Sequence, residues 1–259
     1  MPVFAANLTM LFTEAPFLER FALARQAGFQ FVEYLFPYDY TPAELKQQLD
    51  RHGLRQVLFN LPCGDWAGGE RGIAADPAQV ERFRAGVARA VTYAAALGVG
   101  NLNCLAGKRL PAVDEARQRD VLVDNLRFAA RQLAAHGLRL MVEPVNHFDM
   151  PGFLLNRSAQ VLALLDAVDE PNVFLQFDVY HAQREEGELA ATLRSHLARI
   201  GHVQVADNPG RHQPGTGEIN YPFLFQELDR LGYQGHVGLE YLPSPDTGSA
   251  FGWIQAMGY

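Results

Sequence analysis

The sequence predicts an α/β fold, a closed (β/α)8 TIM barrel spanning residues 1–259 as one domain, and three observations carry that prediction. Strand-like apolar runs alternate with helix-like stretches eight times along 259 residues, and eight units of about 30 residues make a closed parallel barrel. Five helix-to-strand junctions share one device, a Gly where a helix closes in the left-handed conformation with an apolar residue after it: Ala27-Gly28-Phe29, His52-Gly53-Leu54, Leu97-Gly98-Val99, His136-Gly137-Leu138 and Leu231-Gly232-Tyr233. Four apolar runs stop on a single carboxylate or amide, as buried parallel strands do when each delivers one polar side chain to its carboxyl end.

The strands run from Val3 to Leu8, Phe31 to Leu35, Gln56 to Leu61, Asn101 to Leu105, Leu138 to Glu143, Val173 to Asp178, Ile200 to Val205 and His236 to Tyr241. Each is a short apolar run closed by turn residues, too short for a helix. The helices between them run from Phe17 to Ala27, Pro42 to His52, Pro77 to Leu97, Val113 to His136, Ser158 to Val168, Glu188 to Ala198, Pro222 to Leu231 and Ala250 to Met257. Two starts are marked by capping chemistry: Thr41-Pro42-Ala43-Glu44 reads as a capping box with Pro in the first turn, and Asp76-Pro77 as an Asp cap followed by Pro. An open doubly wound sheet competes, but it requires a Gly-rich phosphate loop after the first strand, and Asn7 to Phe12 holds none. The long connections, Asn60 to Ala75, Ala106 to Pro111, Asn146 to Asn156 and Asp207 to Asn220, all follow strands, on the face where such barrels carry their chemistry.

With 48% hydrophobic and 20% charged residues the chain can bury a substantial core, and a net charge of −7 argues against nucleic-acid or anionic-membrane partners. No apolar run approaches the length of a membrane span, and Met1 to Asn7 reads as a strand rather than a secretory leader. Two cysteines, Cys63 and Cys104, with no zinc-binding spacing, read as buried fillers in a cytoplasmic protein.

The four polar strand ends are Glu143, Asp178, Gln204 and Glu240. In a barrel such ends converge on one axis, while the other interior positions are expected to be apolar. Up to three negative charges in one place require protons or a cation, and an oxygen-rich donor set suits a hard divalent ion, Mg²⁺ or Mn²⁺. His181, three residues after Asp178, either caps a helix or donates to a substrate oxygen. His202 shares the inward side of its strand with Gln204, its role open. His52 and His136, at helix ends, read as surface residues facing the helix dipole.

Glu143-Pro144-Val145-Asn146 with Asp149 to Gly152, Gln176 to His181, His202 to Arg211, Pro214 to Asn220 and Gly238-Leu239-Glu240 resemble the hydroxypyruvate isomerase family of the xylose-isomerase-like barrels. The similarity extends to Asn60 to Trp66 and Asn103 to Gly107, through nearly the whole chain. It implies that Glu143, Asp178, Gln204 and Glu240 bind one divalent metal, and that Glu143 and Glu240 also exchange protons while a carbonyl moves between adjacent carbons through an enediolate. The implied substrate, hydroxypyruvate or another small hydroxy-oxo acid, carries a carboxylate, for which Arg211 and Lys108 are the candidate cations. His181, Asp149 and Trp66 complete the candidate substrate contacts, with Phe12 beside Trp66 as a roof. The 2-oxo-tetronate isomerases are the near alternative. The ketose 3-epimerases, which typically carry His where this chain has Gln204, stand further off. A metal nuclease on the same barrel would require more His at the ends of the second and third strands, and a dead binding protein would not keep both Glu143 and Glu240. A homo-oligomer is left open.

Overall fold

A computed structural model describes residues 1–259. Eight parallel strands, β1 (Val3–Asn7), β2 (Phe31–Glu33), β3 (Arg55–Asn60), β4 (Asn101–Cys104), β5 (Arg139–Val142), β6 (Val173–Asp178), β7 (Ile200–Val205) and β8 (His236–Leu239), pair in chain order, and β8 returns to β1 to close the barrel. Around it stand α1 (Arg20–Gln26), α2 (Pro42–His52), α3 (Val80–Leu97), α4 (Glu115–Ala134), α5 (Ser158–Val168), α6 (Val179–Glu185), α7 (Leu189–His196), α8 (Tyr221–Arg230) and α9 (Gly252–Ala256). No helix is long and apolar enough to cross a membrane.

Local chemistry accounts for the boundaries. Thr41 accepts from the Glu44 backbone at 3.2 Å while Glu44 reaches back to the Thr41 N–H at 2.8 Å, the reciprocal cap that starts α2. Gly28, Gly53, Gly98, Gly137 and Gly232 all have positive φ, between 61 and 95°, which turns each preceding helix into the next strand without a Cβ penalty. The main core lies between the sheet and the helix ring, from Phe21 and Leu45 round to Phe225 and Trp253.

Two expectations need correcting. There are nine α-helices, not eight: α6 follows β6 with no intervening loop, because Asp178 is both the last strand residue and the helix cap, accepting from the N–H groups of Tyr180 (2.8 Å) and His181 (3.2 Å). The barrel interior is also not apolar outside the four strand ends. Ala5, Val57, Leu58 and Met141, with Phe31 and Phe174 against them, form a small apolar cluster apart from the main core. The strands also bury Asn7, Glu33, Asn103, Gln176 and His202. Buried polar groups persist when they bond to one another, and each of these makes at least one side-chain hydrogen bond to another buried residue, although Asn103 Oδ1, Gln176 Oε1 and His202 Nδ1 are left without a partner.

Candidate active site

Parallel register sets the floor of the site. Asp178 pairs with Gln204, and Gln204 with Gly238, two residues before Glu240. Glu143 follows β5 directly, where Pro144 cannot continue the ladder. Glu143, Asp178 and His181, all buried, offer oxygen or nitrogen atoms within 4.8 Å of one another. Glu143 Oε2 accepts from Asn103 Nδ2 at 2.8 Å. Asp178 gives Oδ1 to the α6 backbone and leaves Oδ2 without a hydrogen bond, 3.8 Å from both His181 Nε2 and Arg211 Nη2. Glu240 accepts from Arg211 Nη2 at 2.9 Å and leaves Oε2 unpartnered.

The electrostatics follow from packing carboxylates out of water. Burial, then the charge of Asp178, push Glu143 up to about 8. Burial raises Asp178 and, more strongly, Glu240 above the ordinary carboxylate range, with Arg211 opposing both shifts. Burial disfavours the Arg211 charge, yet Glu240, Asp178 and Glu143 together hold its guanidinium more firmly protonated than usual. Arg211 sits on the loop after β7 with φ 58°, an uncommon conformation for a side chain of this size, and its guanidinium lies 5.2 Å from the Tyr180 ring centre.

His181 is oriented by Asn146. The Asp149 backbone N–H donates to Asn146 Oδ1 at 2.9 Å, which fixes the amide so that Nδ2 faces His181 Nδ1 at 2.6 Å. Nδ1 therefore accepts, and the ring proton resides on Nε2, on the Asp178 side. Burial, then the nearby Arg211, lower the His181 pKa well below its ordinary value, so the ring is neutral. Asp149 does not reach the carboxylates. Its Oδ2 accepts from Asn146 (3.1 Å) and from the Tyr180 hydroxyl (2.8 Å), so it braces the pair that holds His181.

Gln204 is buried and engaged on both sides: Oε1 accepts from Gln176 Nε2 at 2.6 Å, and Nε2 donates to Glu33 Oε1 at 2.8 Å. The structure thus gathers Glu143, Asp178, His181, Arg211 and Glu240, and places Gln204 beside Asp178 in the strand register with its own hydrogen bonds going to Gln176 and Glu33. No hydrogen bond or ion pair joins Lys108 or Trp66 to this group. Lys108 lines a cavity of about 310 Å³ with Glu70, Asp76 and Gln79. Trp66 is 40% exposed and carries the Arg71 guanidinium 4.0 Å from its ring centre, while Phe12 is buried against Phe251. Sequence reasoning missed Asn103, Asn146, Gln176 and Glu33. All but Asn146 are polar residues inside strands, the signal that could have singled them out.

A family model described as xylose isomerase-like TIM barrel matches residues 21–257. The chain is 49% identical to hydroxypyruvate isomerase of Escherichia coli, covering 97% of each chain, and 46% identical to 2-oxo-tetronate isomerase of Cupriavidus necator, covering 98% of each. A crystal structure from Brucella melitensis, described as an AP endonuclease of family 2, superposes with a TM-score of 0.96 at 44% identity over 99% of both chains. With that family model spanning most of the barrel and named isomerases matching along nearly the whole length, the chain belongs to the xylose isomerase-like TIM barrel family, as one of its isomerases.

Proposed function

We propose that the protein is a divalent-metal-dependent isomerase that interconverts hydroxypyruvate and 2-hydroxy-3-oxopropanoate through an enediolate. The observation that carries this reading is the pair Glu143 and Glu240, two buried carboxylates delivered by β5 and β8 from different sides of one barrel mouth, with Asp178 and Arg211 beside them.

The donor set fits a hard cation. Asp178 Oδ2 and Glu240 Oε2 are buried without hydrogen bonds, and every candidate donor is a carboxylate or amide oxygen. Glu143, Asp178, Gln204 and Glu240 would hold Mg²⁺ or Mn²⁺; His181 donates through Nε2 rather than ligating. A bound ion would polarise the substrate carbonyl and stabilise the oxyanion by several kcal/mol.

The chain's own groups do the rest. Arg211 grips the substrate carboxylate, and His181 Nε2–H donates to a substrate oxygen. One of Glu143 and Glu240 takes a proton from carbon 3, the other returns a proton to carbon 2, and the hydroxyl proton passes from oxygen 3 to oxygen 2. Both glutamates are buried beside Asp178, out of bulk water, where one can act as the base and the other, protonated, as the acid. The Cupriavidus necator relative supports the same chemistry on a four-carbon 2-oxo-tetronate. A nuclease reading lacks its histidines: β2 ends at Glu33, followed by Tyr34, and β3 at Asn60, and the net charge is −7.

The test is a side-by-side assay of Mg²⁺- or Mn²⁺-loaded protein on hydroxypyruvate, a 2-oxo-tetronate and a ketohexose, with products read by NMR. Hydroxypyruvate is expected to give the highest kcat/KM. Preference for the tetronate moves the substrate assignment, and turnover of the ketohexose alone overturns the reading.

A further inference from the structure

Glu33 is a fully buried carboxylate that the reaction above does not use. It ends β2 inside the barrel, and three donors converge on it: Asn7 Nδ2 at 3.0 Å and Gln204 Nε2 at 2.8 Å on Oε1, and His202 Nε2 at 2.7 Å on Oε2. The orientations are not interchangeable. The Thr9 backbone N–H donates to Asn7 Oδ1 at 3.0 Å, which turns Asn7 Nδ2 toward Glu33. A carboxylate accepts, so Gln204 must turn its NH₂ to Glu33 and its carbonyl oxygen away, toward Gln176. The fold makes room for this carboxylate: a methyl group at Gly238, on β8, would collide with Glu33.

We infer that Glu33 is a positioning residue that sets the face Gln204 shows to the site, presenting its oxygen rather than its NH₂ to the cation. An amide rotated by half a turn would put two N–H donors where a cation needs a lone pair. The inference rests on the proposed metal site, and it gives a buried carboxylate, two strands from β8, a part in a reaction whose atoms it does not touch. Partners that orient a metal ligand are worth about 10- to 100-fold in affinity.

The experiment measures Mn²⁺ binding by calorimetry, with thermal unfolding as the check on folding. Glu33→Met, of similar length but without an acceptor, is expected to raise the Mn²⁺ dissociation constant by about 10- to 100-fold. Glu33→Gln is expected to stay within roughly threefold of wild type, because its amide oxygen still faces Asn7 and Gln204 while His202, in its other tautomer, accepts from the new nitrogen. Glu33→Met with wild-type affinity overturns the inference, and so does Glu33→Gln as weak as Glu33→Met, which would mean that Glu33 acts through charge alone. Should Glu33→Met not fold, Mg²⁺ titration of wild-type protein followed at the Gln204 side-chain carbonyl carbon and amide nitrogen by NMR carries the test: the inference expects the carbonyl signal to shift while the NH₂ stays bonded to Glu33. No shift of the Gln204 carbonyl signal on saturation with Mg²⁺ overturns it. Wild-type protein that binds no Mn²⁺ overturns the metal site and this inference together; wild-type binding unchanged in Glu33→Met overturns the inference alone.

Discussion

Arg211 Nη2 lies 2.9 Å from Glu240 Oε1, so the one guanidinium within reach of the buried carboxylates is bonded to a glutamate assigned to proton transfer. The same nitrogen is 3.8 Å from Asp178 Oδ2. Arg211 thus compensates charge within the site and, in the proposed reaction, would also supply the cation for a substrate carboxylate.

The first prediction follows from that double duty. Arg211→Lys keeps the charge but loses the planar fork, so KM for hydroxypyruvate should rise roughly tenfold or more while the protein stays folded. Steady-state kinetics check it; an unchanged KM in Arg211→Lys removes Arg211 from substrate binding.

The second concerns the His181 tautomer. Asn146→Asp replaces a donor to His181 Nδ1 with an acceptor, which draws the ring proton to Nδ1 and strips Nε2 of the hydrogen it would offer the substrate in the proposed reaction. The expected loss in kcat is about 10²-fold, the scale for a displaced proton-handling group. Nitrogen NMR of His181 should show the tautomer change, and a variant with the tautomer switched and kcat intact contradicts the role.

How much of this was legible in the sequence depended on how local the cause was. Glu143, Asp178 and Glu240 each close an apolar run, and each of the five shared Gly junctions is a three-residue pattern, so strand ends and helix ends could be read directly. Helix α6 could not: a residue that ends a strand and caps a helix leaves no loop to read. Glu33 was hidden because Tyr34 and Leu35 extend its three-residue strand as an apolar run. Asn146 and His181 are 35 residues apart, and Glu33 and Gln204 are 171 apart, so only closure of the barrel shows that they are bonded. Lys108 was proposed on charge, which does not specify direction; its neighbours in space are Glu70 and Asp76.

The third prediction is a pH dependence of stability in metal-free protein. Glu143 is pushed up to about 8 in the fold against 4.5 unfolded, so between those values the folded state holds a proton that the unfolded chain has lost, and its contribution to stability falls as pH rises through 8. Asp178 and Glu240, also raised, add to that loss, whereas His181, lowered by burial, and His236, lowered to about 4 by burial and then His202, oppose it only below 6.5, where the unfolded chain binds their protons. Metal-free protein should therefore lose stability between pH 6.5 and 8.5, where only the carboxylates act, and Mg²⁺ or Mn²⁺ should abolish that loss. At 100 times its dissociation constant the ion adds about 2.7 kcal/mol. Melting curves at pH 5, 6.5 and 8.5, with metal and with chelator, check it; a chelated protein as stable at pH 8.5 as at 6.5 contradicts it.

The central claim is that Glu143 and Glu240 each move a proton. Glu143→Gln and Glu240→Gln keep shape and an oxygen donor but cannot accept a proton, so with Mn²⁺ occupancy confirmed each should lose hydroxypyruvate isomerisation by at least about 10²-fold. The deciding measurement is solvent-deuterium incorporation into hydroxypyruvate by both variants in parallel. The account predicts that neither forms product and that one of the two, the variant whose base is intact, still exchanges the hydrogen on carbon 3. Either variant turning over at near the wild-type rate would contradict the two-carboxylate mechanism and leave both glutamates as ligands only.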